Sequence, residues 1–256
     1  KILWSKNHNT PFNSQIKIFE ESFFIVDANN NLICYSIKNG EKIWSHKTEK
    51  PFINSMKRLS IVVKDNLVIF NNSVGDITAL NIKSGMLVWQ ISTQNTENFT
   101  ELIDLKTSDL IINNDSVYFS NNKNKFYSID LKTGSINWVQ KINSFIKPSI
   151  TGGLIFTITE EGYFFIIDKE TGNIIRITNI FKNIKKKRKN LLSPIGFIYN
   201  FEDVYISTND GKLFIMDIEN GVIKKIIKVD NKKISRPSVK DNNMYLVKDN
   251  SIIKLN

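Results

Sequence analysis

The chain has 256 residues, with 35 Lys+Arg against 25 Asp+Glu, a formal net charge of +10 and 41 % hydrophobic residues. That length and apolar content suffice for a core and exclude the disordered and collagen-like classes. Lys, Asn or Asp interrupts every Ile- and Phe-rich run well short of the roughly 18 to 20 apolar residues that a bilayer span needs, so the sequence reads as a soluble chain.

Nearly all the positive charge is Lys, with Arg only at Arg58, Arg176, Arg188 and Arg236, in a chain also rich in Ile and Asn. AT-rich codon usage produces that pattern, and it accounts for the charge better than a nucleic-acid partner does. The single Cys34 excludes an internal disulfide and a Cys-based zinc site. A start at Lys1 rather than Met is what removal of an upstream segment leaves, and such a segment could carry a signal peptide or lipid anchor.

In chain order, Ile2-Leu3-Trp4 reads as the end of a repeat without its beginning. A strand, an Asp or Asn, a polar turn closed by Gly and an aromatic four residues later then recur. The copies are Ser36-Ile37-Lys38-Asn39-Gly40 to Trp44, Asn81-Ile82-Lys83-Ser84-Gly85 to Trp89, and Asp130-Leu131-Lys132-Thr133-Gly134 to Trp138. Weaker copies run from Asp168 through Gly172 to Arg176 and from Asp217 through Gly221 to Lys225. The turn glycines are 45, 49, 38 and 49 residues apart, the length of one four-stranded propeller blade.

Within the fourth copy, short β-branched and aromatic runs at 148–150, 154–158, 163–167 and 173–177 are separated by Gly-Gly, Glu-Gly and Thr-Gly turns. Consecutive apolar positions predict strands buried on both faces, and no window predicts a long helix. Asn243 to Val247 and Ser251 to Leu255 read as a last repeat without its outer strand. The expected architecture is an all-β propeller of four-stranded antiparallel blades, about six in number. It forms one domain over residues 1–256, with blades near 12–46, 55–92, 105–143, 147–180, 193–229, and 235–256 with 1–6.

The turn Asp is expected to accept hydrogen bonds from amides one or two residues on, with Gly supplying the reversal and Trp filling the wedge between blades. His8 and His46 are read as lying near the ends of outer strands, without ligands at metal spacing. No nucleophile elbow or phosphate loop is present, so catalytic, cofactor-binding and metal residues are all expected to be absent. The sequons at Asn71, Asn98 and Asn114 carry no assigned role. Two segments break the repeat: the acidic connection at 94–109, and Lys182 to Lys189, with six basic residues in eight. The first is long enough for a recognition loop. The second suits an anionic lipid or acidic protein face, and lacks interleaved aromatics for nucleic acid.

Asp-x-x-Thr-Gly-x-x-x-Trp, preceded by Pro148-Ser149-Ile150-Thr151-Gly152-Gly153, resembles the repeat shared by pyrroloquinoline quinone-dependent dehydrogenases and the BamB family of outer-membrane assembly factors. Ser235-Arg236-Pro237-Ser238-Val239 followed by Asp249 to Leu255, and the acidic connection around Thr100 to Asp104, are more similar to the BamB end of that range. That resemblance implies a non-enzymatic scaffold without a cofactor, on the periplasmic face of the bacterial outer membrane, monomeric within a hetero-complex. Its partners are expected to be a BamA-type barrel component and unfolded outer-membrane clients.

The family is an eight-bladed ring, in which Trp4 would belong to the third blade. Arg176 and Lys225 depart from its usual Trp. The family's partner surface combines a basic and apolar loop with an acidic loop in the next blade; here those neighbourhoods hold Ile53, Met56, Lys57 and Arg58, and Glu101, Asp104 and Asp109. The other readings are a quinone-dependent dehydrogenase-like propeller and a generic protein-interaction propeller. The dehydrogenases are longer, coordinate calcium, and many stack a vicinal disulfide on the cofactor, which one Cys cannot form.

Overall fold

The computed structural model describes residues 1–51, 53–55, 57–94 and 105–255. The chain divides into two compact units, Lys1–Phe145 and Ile146–Asn256.

The first unit holds three antiparallel sheets in which neighbouring strands are successive in sequence. They are β1–β4 (Lys17–Phe19, Ser22–Val26, Asn31–Ser36, Lys42–Lys47), β5–β8 (Ile61–Lys64, Leu67–Asn71, Asp76–Asn81, Leu87–Ser92) and β9–β12 (Ile111–Asn113, Ser116–Asn121, Lys125–Asp130, Ile136–Gln140). The second unit holds β13–β16 (Ser149–Thr151, Leu154–Ile158, Tyr163–Asp168, Ile174–Asn179) and β17–β20 (Pro194–Tyr199, Asp203–Thr208, Lys212–Asp217, Ile223–Lys228). It ends in a three-stranded sheet, β21–β23 (Ser238–Lys240, Asn243–Lys248, Ser251–Leu255). Residues 1–6, expected as the outer strand of that last blade, carry no strand.

The middle two strands of each full blade are the consecutive apolar runs of the sequence. β6 and β14 are buried at every position after the first, so both their faces are covered. Neighbouring blades share their cores: Phe24, Leu32 and Cys34 pack with Leu59, Val68 and Phe70, while Phe156, Phe164 and Ile166 pack with Phe197, Val204 and Phe214. Burial of a side chain of this size stabilises by about 1.5 to 3 kcal/mol, so these interfaces dominate the energetics.

Every full blade carries a register shift between its third and fourth strands, at the same place. It lies beside the pairs Cys34–Trp44, Ala79–Trp89, Ser128–Trp138, Ile166–Arg176 and Ile215–Lys225. A bulge re-aims a side chain relative to the pleat. Here it accompanies the turning of Trp44, Trp89 and Arg176 toward the next blade. The residue opposite is small where Trp is present and Ile where it is not.

Within the basic run of 182–189, Lys186–Lys189 form a single turn of helix, α1, with no buried residue. Arg188 lies 3.7 Å from Asp210, and the Lys189 ammonium sits over the Tyr163 ring. No helix among the described residues is long and apolar enough to cross a membrane.

Candidate functional site

The repeat motif acts between blades rather than within them. Trp4, Trp44 and Trp89 each donate their indole Nε1–H to a carbonyl in the next blade's turn: Ile37 at 2.7 Å, Ile82 at 3.2 Å and Leu131 at 2.9 Å. The ring then lies flat against the turn glycine. A Cβ at Gly134, which has φ +75°, would fall 2.7 Å from the Trp89 ring, so glycine is required both by the backbone and by the neighbour. Gly40 receives Trp4 and Gly85 receives Trp44 in the same way. Trp138 stacks on Phe126 with centroids 5.9 Å apart. In the second unit the Arg176 guanidinium takes the indole's role, donating to the Ile218 and Glu219 carbonyls, while Thr178 instead of a ring lies over Gly221.

The turns that receive these groups are held by one side-chain oxygen. Asp130 Oδ1 accepts from the Lys132 and Thr133 amides and the Thr133 hydroxyl. The amides are therefore two and three residues on, not one and two, because the loop opens as an Asx turn continued by one helical residue. Asp168 makes the same three bonds around Thr171, and Asp217 accepts from the Glu219 and Asn220 amides. Hydrogen bonds from Thr133 and Thr171 hold the Asp130 and Asp168 carboxyls below their ordinary range, and the Asn220 amide does so for Asp217. Gly172 and Gly221 close their turns at positive φ.

The residues expected to meet a partner gather at the start of the second and third blades. Ser55 organises the first loop: its hydroxyl donates to the Lys57 carbonyl, and its amide donates to the Ser73 hydroxyl. Lys57 then reaches into the third blade, 3.2 Å from Asp109 Oδ1, and donates to the carbonyls of Thr107 at 2.9 Å and Phe145 at 3.3 Å. Two of the expected residues are thus joined to each other. Arg58 is exposed and Ile53 is half-exposed beside them. Met56, Glu101 and Asp104 lie outside the described residues, as does most of the acidic connection.

Several participants escaped the sequence. Lys106 places its ammonium 5.0 Å from the centre of the Phe145 ring, extending the cluster. Asn71, which had no assigned role, accepts from the Ser60 amide at 2.7 Å and donates to the Thr107 hydroxyl at 3.0 Å, tying the two blades behind the loops. Ser14, Ser108 and Ser235 each accept from the amide twelve residues on and donate to the next carbonyl. The signal available for this was a Ser three residues before three of the six inner strands, hidden by the abundance of Ser in turns.

His8 is not in a strand. Its ring stacks on Phe12, with one nitrogen 3.1 Å from the Tyr35 hydroxyl and the other 3.6 Å from Asp27. His46 does lie in β4, and burial lowers its pKa. Burial raises that of the Cys34 thiol. Among the described residues no three His, Cys, Asp or Glu side chains come together as a metal site.

Antiparallel four-stranded blades in which Trp44, Trp89 and Arg176 tie the outer strand to the next blade's Asx turn define a β-propeller of the quinoprotein-repeat type. The family profile described as outer membrane protein assembly factor BamB matches residues 1–178, and the chain belongs to that family. It is 21 % identical over 250 residues to the outer membrane protein assembly factor BamB of Shewanella oneidensis, covering 96 % of this chain and 61 % of that one. An uncharacterized protein of Rickettsia prowazekii is 24 % identical over 254 residues, covering 93 % and 60 %. The chain thus spans about three fifths of the length of these curated relatives. The crystal structure of BamB from Moraxella catarrhalis superposes with a TM-score of 0.79 at 15 % identity, covering 98 % of this chain and 74 % of that one.

Proposed function

We propose that this protein is a non-enzymatic scaffold of the outer-membrane β-barrel assembly machinery, working on the periplasmic face of that membrane. It docks a BamA-type barrel component through the rim loops of its second and third blades. Unfolded outer-membrane proteins are the clients of the complex, and the protein itself acts as one subunit among several. The observation that carries this reading is the cluster at the start of those blades. Lys57 ties the first loop to Asp109, Thr107 and Phe145 of the third blade, which leaves Arg58 and Ile53 presented to solvent beside that contact. A first loop held by such contacts loses little conformational freedom on binding, which favours recognition without chemistry. The Lys57–Asp109 pair acts in this account as a positioning element, while Arg58 and the acidic residues Glu101 and Asp104 meet the partner.

Reversing charge at Arg58 together with Asp104 tests it. Affinity capture of the barrel component from envelope extracts should fall about tenfold or more, as for truncation of interface charges. Capture equal to wild type by the folded double variant would sink the assignment.

A further inference from the structure

The wedge between the fourth and fifth blades differs from the three Trp-filled wedges of the first unit. There, an indole covers the turn glycine and fills the gap. Here Arg176 extends along the gap to the Ile218 and Glu219 carbonyls, and Thr178 stands nearest Gly221 in place of a ring. What remains is an open groove of about 840 Å³, lined by Arg176, Thr178, Lys182, Phe214, Ile223 and Lys225 among others. A space of that size accommodates several side chains of a bound segment. Phe214, Ile223 and the half-exposed Ile177 and Ile226 supply its apolar lining.

Charge narrows the occupant further. Four cations, Arg176, Lys182, Lys224 and Lys225, line the groove, and no Asp or Glu does so among the described residues. Lys224 is already neutralised, with its ammonium 2.8 Å from Asp203 and 2.9 Å from Asp217. Lys182 and Lys225 are exposed, and Lys182 opens the basic run that continues through α1. The walls are β16 and β20, each the outer edge strand of its sheet, and such edges accept an added extended chain.

We propose that this groove binds an extended peptide segment of a partner protein in which an aromatic residue is flanked by Asp or Glu. The aromatic side chain takes the place of the absent indole, and the carboxylates meet Lys182 and Lys225. The proposal is independent of the rim-loop reading: loss of either activity leaves the other in place.

The test uses a short fluorescein-labelled peptide alternating Glu with Trp, and two controls with Lys for Glu or Ala for Trp, read by fluorescence polarisation on the full chain. The acidic aromatic peptide should bind with a Kd of about 100 μM or tighter, and both controls about tenfold more weakly. Arg176→Trp, which rebuilds the staple, should weaken binding about tenfold with no loss in Tm. Ile166 stands opposite where the Trp blades have a small residue. The double variant Ile166→Ala/Arg176→Trp reproduces the Ala79–Trp89 pair, so that crowding does not decide the outcome. Lys182→Glu/Lys225→Glu, on exposed positions, should weaken binding and remove its salt dependence. Equal binding of the three peptides, no binding by the wild-type chain, or unchanged binding by the Trp variants or the charge variant overturns the proposal. A dimer that Arg176→Trp dissolves overturns it too, assigning the groove to a second copy of the chain.

Discussion

Trp89 carries two separable contributions, bulk in the wedge and one hydrogen bond to the Leu131 carbonyl. It is 7 % exposed and belongs to the core shared by the second and third blades. Trp89→Ala removes both and leaves a cavity over Gly134, so the loss should be about 3 to 5 kcal/mol. Trp89→Phe keeps most of the bulk and removes only the donor. A carbonyl at the edge of the wedge can turn to water, which limits that part to about 1 kcal/mol. Denaturant unfolding separates the two; a Phe variant as unstable as the Ala variant would mean that the hydrogen bond outweighs the packing. The Trp-to-Gly spacing was legible as a repeat because indole and glycine are both rare and each is irreplaceable at its place. That the ring fills a wedge between blades was legible from its size, but its hydrogen bond to the next blade's turn was not, since spacing within one repeat says nothing about donors and acceptors in the next. Arg176 and Lys225 looked like decayed copies for the same reason, yet Arg176 still caps a turn with its guanidinium.

The recurring element is the outer hairpin, a bulged strand pair closed by an Asx turn. Its acceptor varies along the chain: Asn81 holds the Lys83 and Ser84 amides and the Ser84 hydroxyl without a charge, and Asp130 and Asp168 hold the equivalent groups with one. Because these two carboxyls are held below their ordinary range, the unfolded chain binds their protons first as pH falls. Their contribution is complete above the ordinary carboxylate value of about 4 and is lost as pH drops through the lower folded values. Asp130→Asn/Asp168→Asn should therefore change Tm little at pH 7 and flatten the fall of Tm on acidification. A Tm–pH curve parallel to wild type below pH about 4 would contradict this. Asp230, paired with Lys248 and brought to about 2 by that contact, stays as an acid-sensitive group in both proteins. The strand runs and turn glycines of these hairpins were readable because five-residue β-branched runs between Gly and Asp have few other uses. The bulge was not, as it changes register without changing composition, and it moved the last strand of the fourth blade one to two residues beyond the expected 173–177.

At the scale of the whole chain, five successive four-stranded sheets follow one local rule, and the proposed docking surface lies at the start of the second and third blades. The net charge of +10 is divided accordingly. Lys57 is engaged inside the fold by Asp109, Thr107 and Phe145, while Arg58 stays at the surface, a distinction invisible in two adjacent basic letters. The central claim is that those loops dock a BamA-type barrel component. Calorimetric titration of this protein with the isolated periplasmic POTRA domains of such a component tests it most directly. The account predicts saturable one-to-one binding that weakens with salt and is lost on Arg58→Glu. Absence of binding by the folded wild-type protein, or binding that Arg58→Glu leaves intact, would contradict it.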